Sequence, residues 1–110
     1  MTTTRTRKRD SSRNRKTKTV PYDVALQLRT PAEMAAYLDA WLGEAPDDAS
    51  GIARALGDIA RAKGMSQVAR DSGLSRESLY KALSGSGNPS LETVLRVARA
   101  LGLRLRAAAA

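Results

Sequence analysis

With 110 residues and no cysteine, histidine or phenylalanine, the chain is long enough for one modest aliphatic core. It lacks the side chains for disulfides, thiolate nucleophiles, most zinc sites and the commonest general base at neutral pH. The formal net charge of +8 is unevenly placed: residues 1–19 are strongly basic, 20–59 acidic and 60–110 basic again, which suits a polyanion at the basic zones and a basic partner at the acidic one.

No apolar run approaches the roughly 18 residues of a membrane span, and the basic N-terminus is not followed by the apolar stretch of a secretory signal. A soluble, cytoplasmic protein without a membrane partner is expected. The first segment, MTTTRTRKRDSSRNRKTKT (1–19), has no large apolar residue after Met1 to bury, so it reads as a disordered tail. Such a tail serves as a phosphate-binding arm or as a solubilising extension.

Residues 20–110 read as a single helical domain. VPYDVALQL alternates Val24, Leu26 and Leu28, the pattern of a short extended lead-in. Thr30, Pro31 and Glu33 then form the sequence of a capping box, followed by Met34, Tyr37, Leu38, Trp41 and Leu42 at the spacing of one helical face. That helix stops between Gly43 and Pro46. Asp47, Asp48 or Ser50 caps a second, whose stripe is Ile52, Leu56, Ile59 and Ala60 and whose end lies near Gly64. Gly57 inside it marks a close helix approach.

Shorter elements follow. Ser66 is the expected cap of a helix reaching Ser72, Gly73 the turn, and Ser75 the cap of a helix from Arg76 to about Ser84. After the loop SGSGNPS, Ser90 caps a last helix with Leu91, Val94, Leu95, Ala98 and Leu101 turned inward, ended by Gly102. LRLRA beyond it alternates apolar and basic residues, which fits a short C-terminal strand able to pair with another chain's edge, and fits a frayed helix end equally. The expected class is all-α, with about five short helices.

The segment at 66–84 meets the requirements of two helices crossing at about 90 to 120°. Gly73 provides the turn, Ala69 the small residue where the second helix passes, Val68 the floor beneath, and Leu74, Leu79, Ala82 and Leu83 the packing side chains. With those turned in, Arg76, Glu77, Tyr80, Lys81 and Ser84 turn out. Arg76 can grip guanine O6 and N7, Glu77 can accept from cytosine N4, Tyr80 can meet a phosphate or a thymine methyl, and Lys81 can neutralise phosphate. Ser75, at the helix N-terminus, adds backbone N–H groups aimed at a phosphate. Glu77 fits only if it touches a base or pairs with Arg76 or Lys81. The plainer alternative is a helical corner with an ordinary solvated face.

ALGDIARAKGMSQVARDSGLSRESLYKALSGSGNPSLETVLRVARALGL resembles the addiction-module antidote family, the HigA-like antitoxins whose DNA-binding part is similar to the lambda-repressor or XRE helix-turn-helix. The resemblance implies a lambda-repressor-like domain, a homodimer, binding to double-stranded operator DNA, repression of its own operon, and neutralisation of a RelE- or HigB-like ribonuclease toxin. It places a scanning helix at 66–72 and a recognition helix at 76–84. The wider superfamily usually has Gln four residues before the small Ala, a position held here by Met65; Gln67 is the nearby residue of that chemistry. An antitoxin of this kind would be cytoplasmic and nucleoid-associated when bound to DNA.

A basic toxin would be attracted by the acidic stretch, with Glu33, Asp39 and Glu44 as charges and Tyr37 and Trp41 as apolar anchors, although a helical apolar stripe more often faces a core. No catalytic residue, cofactor or metal is expected: neither a Gly-x-Ser-x-Gly elbow nor a Ser-x-x-Lys pair occurs in a suitable context, and GSGNP lacks the lysine of a phosphate loop. Two other readings compete with the antitoxin, a phage-type transcriptional regulator without a toxin and a helical protein-interaction module without an operator.

Overall fold

The computed structural model describes residues 24–110, so the basic tail at 1–19 lies outside the described residues. Among the described residues the chain is all-helical and has no strand: a short 3-10 turn, Val24–Gln27, precedes α1 (Pro31–Glu44), α2 (Ala49–Lys63), α3 (Met65–Ser72), α4 (Arg76–Ala82) and α5 (Leu91–Ala100). α2 is the centre, packing against the 3-10 turn, α1 and α3, while α3 in turn packs against α4 and α5.

The helix starts follow local chemistry. Glu33 N–H donates to Thr30 Oγ1 (3.1 Å) and Thr30 N–H to Glu33 Oε1 (3.0 Å), completing the capping box. The Arg29 N–H, donating 2.9 Å to the same carboxylate, is the main reason the Glu33 carboxyl stays below its ordinary pKa, against an opposing effect of burial. Asp48 caps α2 by accepting from Gly51 N–H, and Ser75 and Ser90 cap α4 and α5 through Ser78 and Thr93 N–H. Each cap satisfies a backbone donor that has no partner inside its helix.

α3 departs from the sequence expectation. It begins at Met65 directly after Gly64, whose φ of 114° turns the chain sharply, and it has no side-chain cap; Ser66 is already inside the helix and exposed. The lead-in also differs, because the Val24–Gln27 backbone coils into a 3-10 turn that buries only the following Leu28 and leaves Leu26 exposed. α4 ends at Ala82, with Leu83 as its C-cap, two residues short of the expected Ser84.

The core is aliphatic. Leu56 and Ile59 of α2, Val68 of α3, Leu79 of α4, and Val97 and Leu101 at α5 are its largest fully buried side chains, with Leu28, Met34 and Leu38 closing one side. Leu91 and Leu95, expected inside, are 71% and 49% exposed, and Leu42, expected on the apolar face of α1, is 41% exposed. Periodicity puts Leu91 and Leu95 on the face shared by Ala98, but among the described residues the buried positions of α5 are confined to Val97, Ala98 and Ala100 near its C-terminal end. Residues 103–106 carry no regular structure, so the alternating LRLR segment forms no strand. Its first residue closes the end of α5, with Leu103 N–H donating to Ala98 O at 2.9 Å past Gly102 (φ 77°).

Gly57 is where α2 and the end of α4 meet. A Cβ there would lie 2.9 Å from the Leu83 carbonyl oxygen, a backbone atom that cannot swing aside. Gly57→Ala gains about 1 kcal/mol of helix propensity but crowds a packed contact at a cost of roughly 1–3 kcal/mol. A net loss of about 1 kcal/mol, or about 4–8 °C in Tm, is expected in a thermal melt. A midpoint at or above that of the unaltered chain would show that the Leu83 carbonyl gives way without cost.

Candidate nucleic-acid interface

The turn between α3 and α4 is closed by several hydrogen bonds. Gly73 adopts φ 77°, and its N–H and that of Leu74 both donate to Ala69 O, at 3.1 and 3.2 Å. Ser72, a buried polar residue, donates its hydroxyl to Ala69 O (3.2 Å) and accepts from Leu74 N–H (3.3 Å). The buried Ser72 hydroxyl thus both donates and accepts, as a fixed helix crossing requires.

α4 is held from one side. Leu79 is fully buried and Leu83 nearly so, while Arg76, Glu77, Tyr80 and Lys81 are all exposed, Glu77 and Lys81 opposite Leu79 and Arg76 and Tyr80 on the flank. Arg76 and Tyr80 lie one turn apart on α4, and Ser84 follows just past its C-cap. The Arg76 guanidinium stacks 5.7 Å from the Tyr80 ring centroid and donates to Tyr80 Oη at 3.3 Å, so the phenol restrains the arginine. Ser75 is occupied as a cap and donates its hydroxyl to Ser78 Oγ (2.9 Å). The Ser84 hydroxyl donates to Lys81 O (3.1 Å) and shares a 2.7 Å hydrogen bond with Ser86.

Glu77 forms no ion pair with Arg76 or Lys81 among the described residues. Gln67 is exposed in the first turn of α3, apart from these residues. Two arginines absent from the sequence-based set lie beside α4: Arg54 and Arg61 of α2 line a cavity of about 230 Å³ together with Tyr80 and Ser84 of the α4 side. Their seven-residue spacing, on the same face of α2 as Gly57, is the one trace of this in the sequence.

The residues expected to meet a basic partner are spread over α1 and differ in how free they are. Glu33 is engaged in the capping box and lies 3.6 Å from Arg29 Nη2. Tyr37 is half-buried and donates to Asp58 Oδ2 at 2.7 Å; burial, then that hydrogen bond, pushes its phenol above the ordinary pKa. Asp58 is also bridged by Arg61 at 3.0 Å. Trp41 is half-buried, packed on the core, with its ring edge over Gly51. Asp39 and Glu44 are exposed, Asp39 beside an apolar groove floored by Leu38, Leu42, Leu103 and Leu105.

Among the described residues no helix is long and apolar enough to cross a membrane. No solved structure matches the chain. A protein of Haemophilus influenzae, described as an uncharacterized protein, is 53% identical over 85 residues, covering 77% of this chain and 86% of the relative. Residues 18–109, a span that holds all five helices, match the family described as probable addiction module antidote protein, and the chain belongs to that family.

Proposed function

We propose that this antidote is a homodimeric repressor that binds double-stranded operator DNA of its own operon through α4, with α3, Gly73 and α4 acting as a helix-turn-helix, and that it neutralises a RelE- or HigB-like ribonuclease toxin. Membership of the family implies a toxin partner of some kind; the DNA and the class of toxin are our reading. The observation that carries it is the two-sidedness of α4, with Leu79 sealed inside while Arg76, Glu77, Tyr80 and Lys81 stand outside.

In this reading α4 lies in the major groove, Arg76 meets a guanine, Lys81 meets a phosphate, and Glu77, lacking an ion pair, accepts from a cytosine amine. Residues 20–110 act as one helical domain and the basic tail tightens contact with phosphate. The exposed Leu91 and Leu95 of α5 supply an apolar stripe for a second copy. Asp39 and Glu44 supply the charge, and Tyr37 and Trp41 the apolar contact, for a basic toxin. The protein works by binding, without catalysis, in the cytoplasm.

Co-expression with the product of the adjacent reading frame, followed by a gel shift on the DNA upstream of the gene, tests the proposal. A shift that survives excess competitor and weakens by about 10³-fold or more between roughly 50 and 200 mM salt is expected. Binding that competitor removes completely would leave no operator, and the protein would act as an interaction module.

A further inference from the structure

We propose that Arg54 of α2 is the centre of a backbone-phosphate subsite for the duplex that α4 reads, an inference that rests on the DNA reading above. The stem of Arg54 lies along the loop that follows α4: a Cβ on Gly85 would sit 2.6 Å from its Cγ and 2.8 Å from its Nη1. Gly85 itself has φ 87°, so a side chain is disfavoured there on two grounds. The guanidinium is thus positioned by backbone packing instead of by a carboxylate, and Arg54 has no ion pair among the described residues.

The cavity it borders has the chemistry of an anion site. Its lining holds Arg54, Arg61 (which is paired with Asp58), the polar Tyr80 and Ser84, and apolar residues that include Met65 and Leu83. Among the described residues no carboxylate lines it. The nearest acid along α2, Asp58, is already engaged by Tyr37 and Arg61, and the loop from Ser84 to Ser90 contains no acid. Because Tyr80 belongs both to this lining and to the exposed surface of α4, with Ser84 just past the helix end, a duplex lying against that surface brings its sugar-phosphate backbone to Arg54. A planar guanidinium with several donors suits a phosphodiester better than a water-exposed point charge does.

The subsite contacts backbone and carries no base preference, which separates it from Arg76. The test is fluorescence anisotropy with two labelled duplexes, the DNA upstream of the gene and a scrambled duplex of the same composition, titrated with the full-length protein across about 50–200 mM KCl. Arg54→Ala is expected to weaken both duplexes by the same factor, about 3- to 10-fold, and to lower the slope of log affinity against log salt by about one. The thermal midpoint should stay within a degree or two of the unaltered chain, since the side chain is exposed.

An unchanged slope, or a loss confined to the upstream duplex, would overturn the subsite while leaving the DNA reading standing. Failure of the unaltered protein to bind either duplex would overturn both.

Discussion

Replacing Leu79 with Ala should lower the midpoint of thermal unfolding by roughly 10–30 °C and abolish any DNA binding well below the temperature at which the unaltered chain melts. Leu79 is fully buried, and removing a leucine side chain from such a site costs about 2–5 kcal/mol through lost transfer energy and the cavity left behind. For a domain of this size each kcal/mol moves Tm by about 4–8 °C. Tyr80, next along the same helix, is 49% exposed, and Tyr80→Ala should change Tm by only a degree or two. Circular dichroism melts of the two variants make the comparison. A fall of only a few degrees for Leu79→Ala would show that α4 is seated by something other than this side chain.

For Arg76→Ala the readout is binding instead of folding. Affinity for the operator should fall by about 10- to 100-fold, equivalent to roughly 1–3 kcal/mol, with base choice relaxed at one position. The stack and hydrogen bond with Tyr80 hold the guanidinium in a narrow set of orientations, so less freedom is lost when it meets a base edge. Arg76→Lys keeps the charge but not the paired donors, and should recover little of the discrimination. Selection of bound sequences from a randomised duplex pool measures the relaxation. Equal weakening on every sequence would place Arg76 on phosphate and leave the reading of bases to other residues.

What could be seen in the sequence was what depends on near neighbours. The caps at Thr30, Asp48, Ser75 and Ser90 each join residues three apart, and the turn at Gly73 needs only its own φ and the preceding helix. Gly57 announced a close approach, though not its partner, Leu83. The misjudged positions depend on remote neighbours. Ser66 looked like a cap because the sharp bend at Gly64 was not apparent from composition. Leu91 and Leu95 share a face with Ala98, and periodicity defines a face without saying how far along it a neighbour extends.

The candidate site divides the same way. On α4, Glu77, Tyr80 and Lys81 follow from the 3.6-residue repeat once Leu79 is turned in, whereas the exposure of Arg76, three residues before Leu79, does not. The placing of Arg54 against Gly85 joins residues 31 positions apart, and no local pattern encodes it. Within the acidic stretch the roles of Glu33 and Asp48 at helix starts follow from local sequence, whereas the engagement of Asp58 by Tyr37, 21 positions away, does not.

α3 and α4 are eight and seven residues long, too short to persist as isolated helices in water. Their shape is on loan from the rest of the molecule. If α4 reads DNA, any opening of the chain large enough to release them removes the reading surface of that molecule in one event, so partial unfolding would lower apparent affinity by the fraction of molecules opened, without altering the contacts of those still closed.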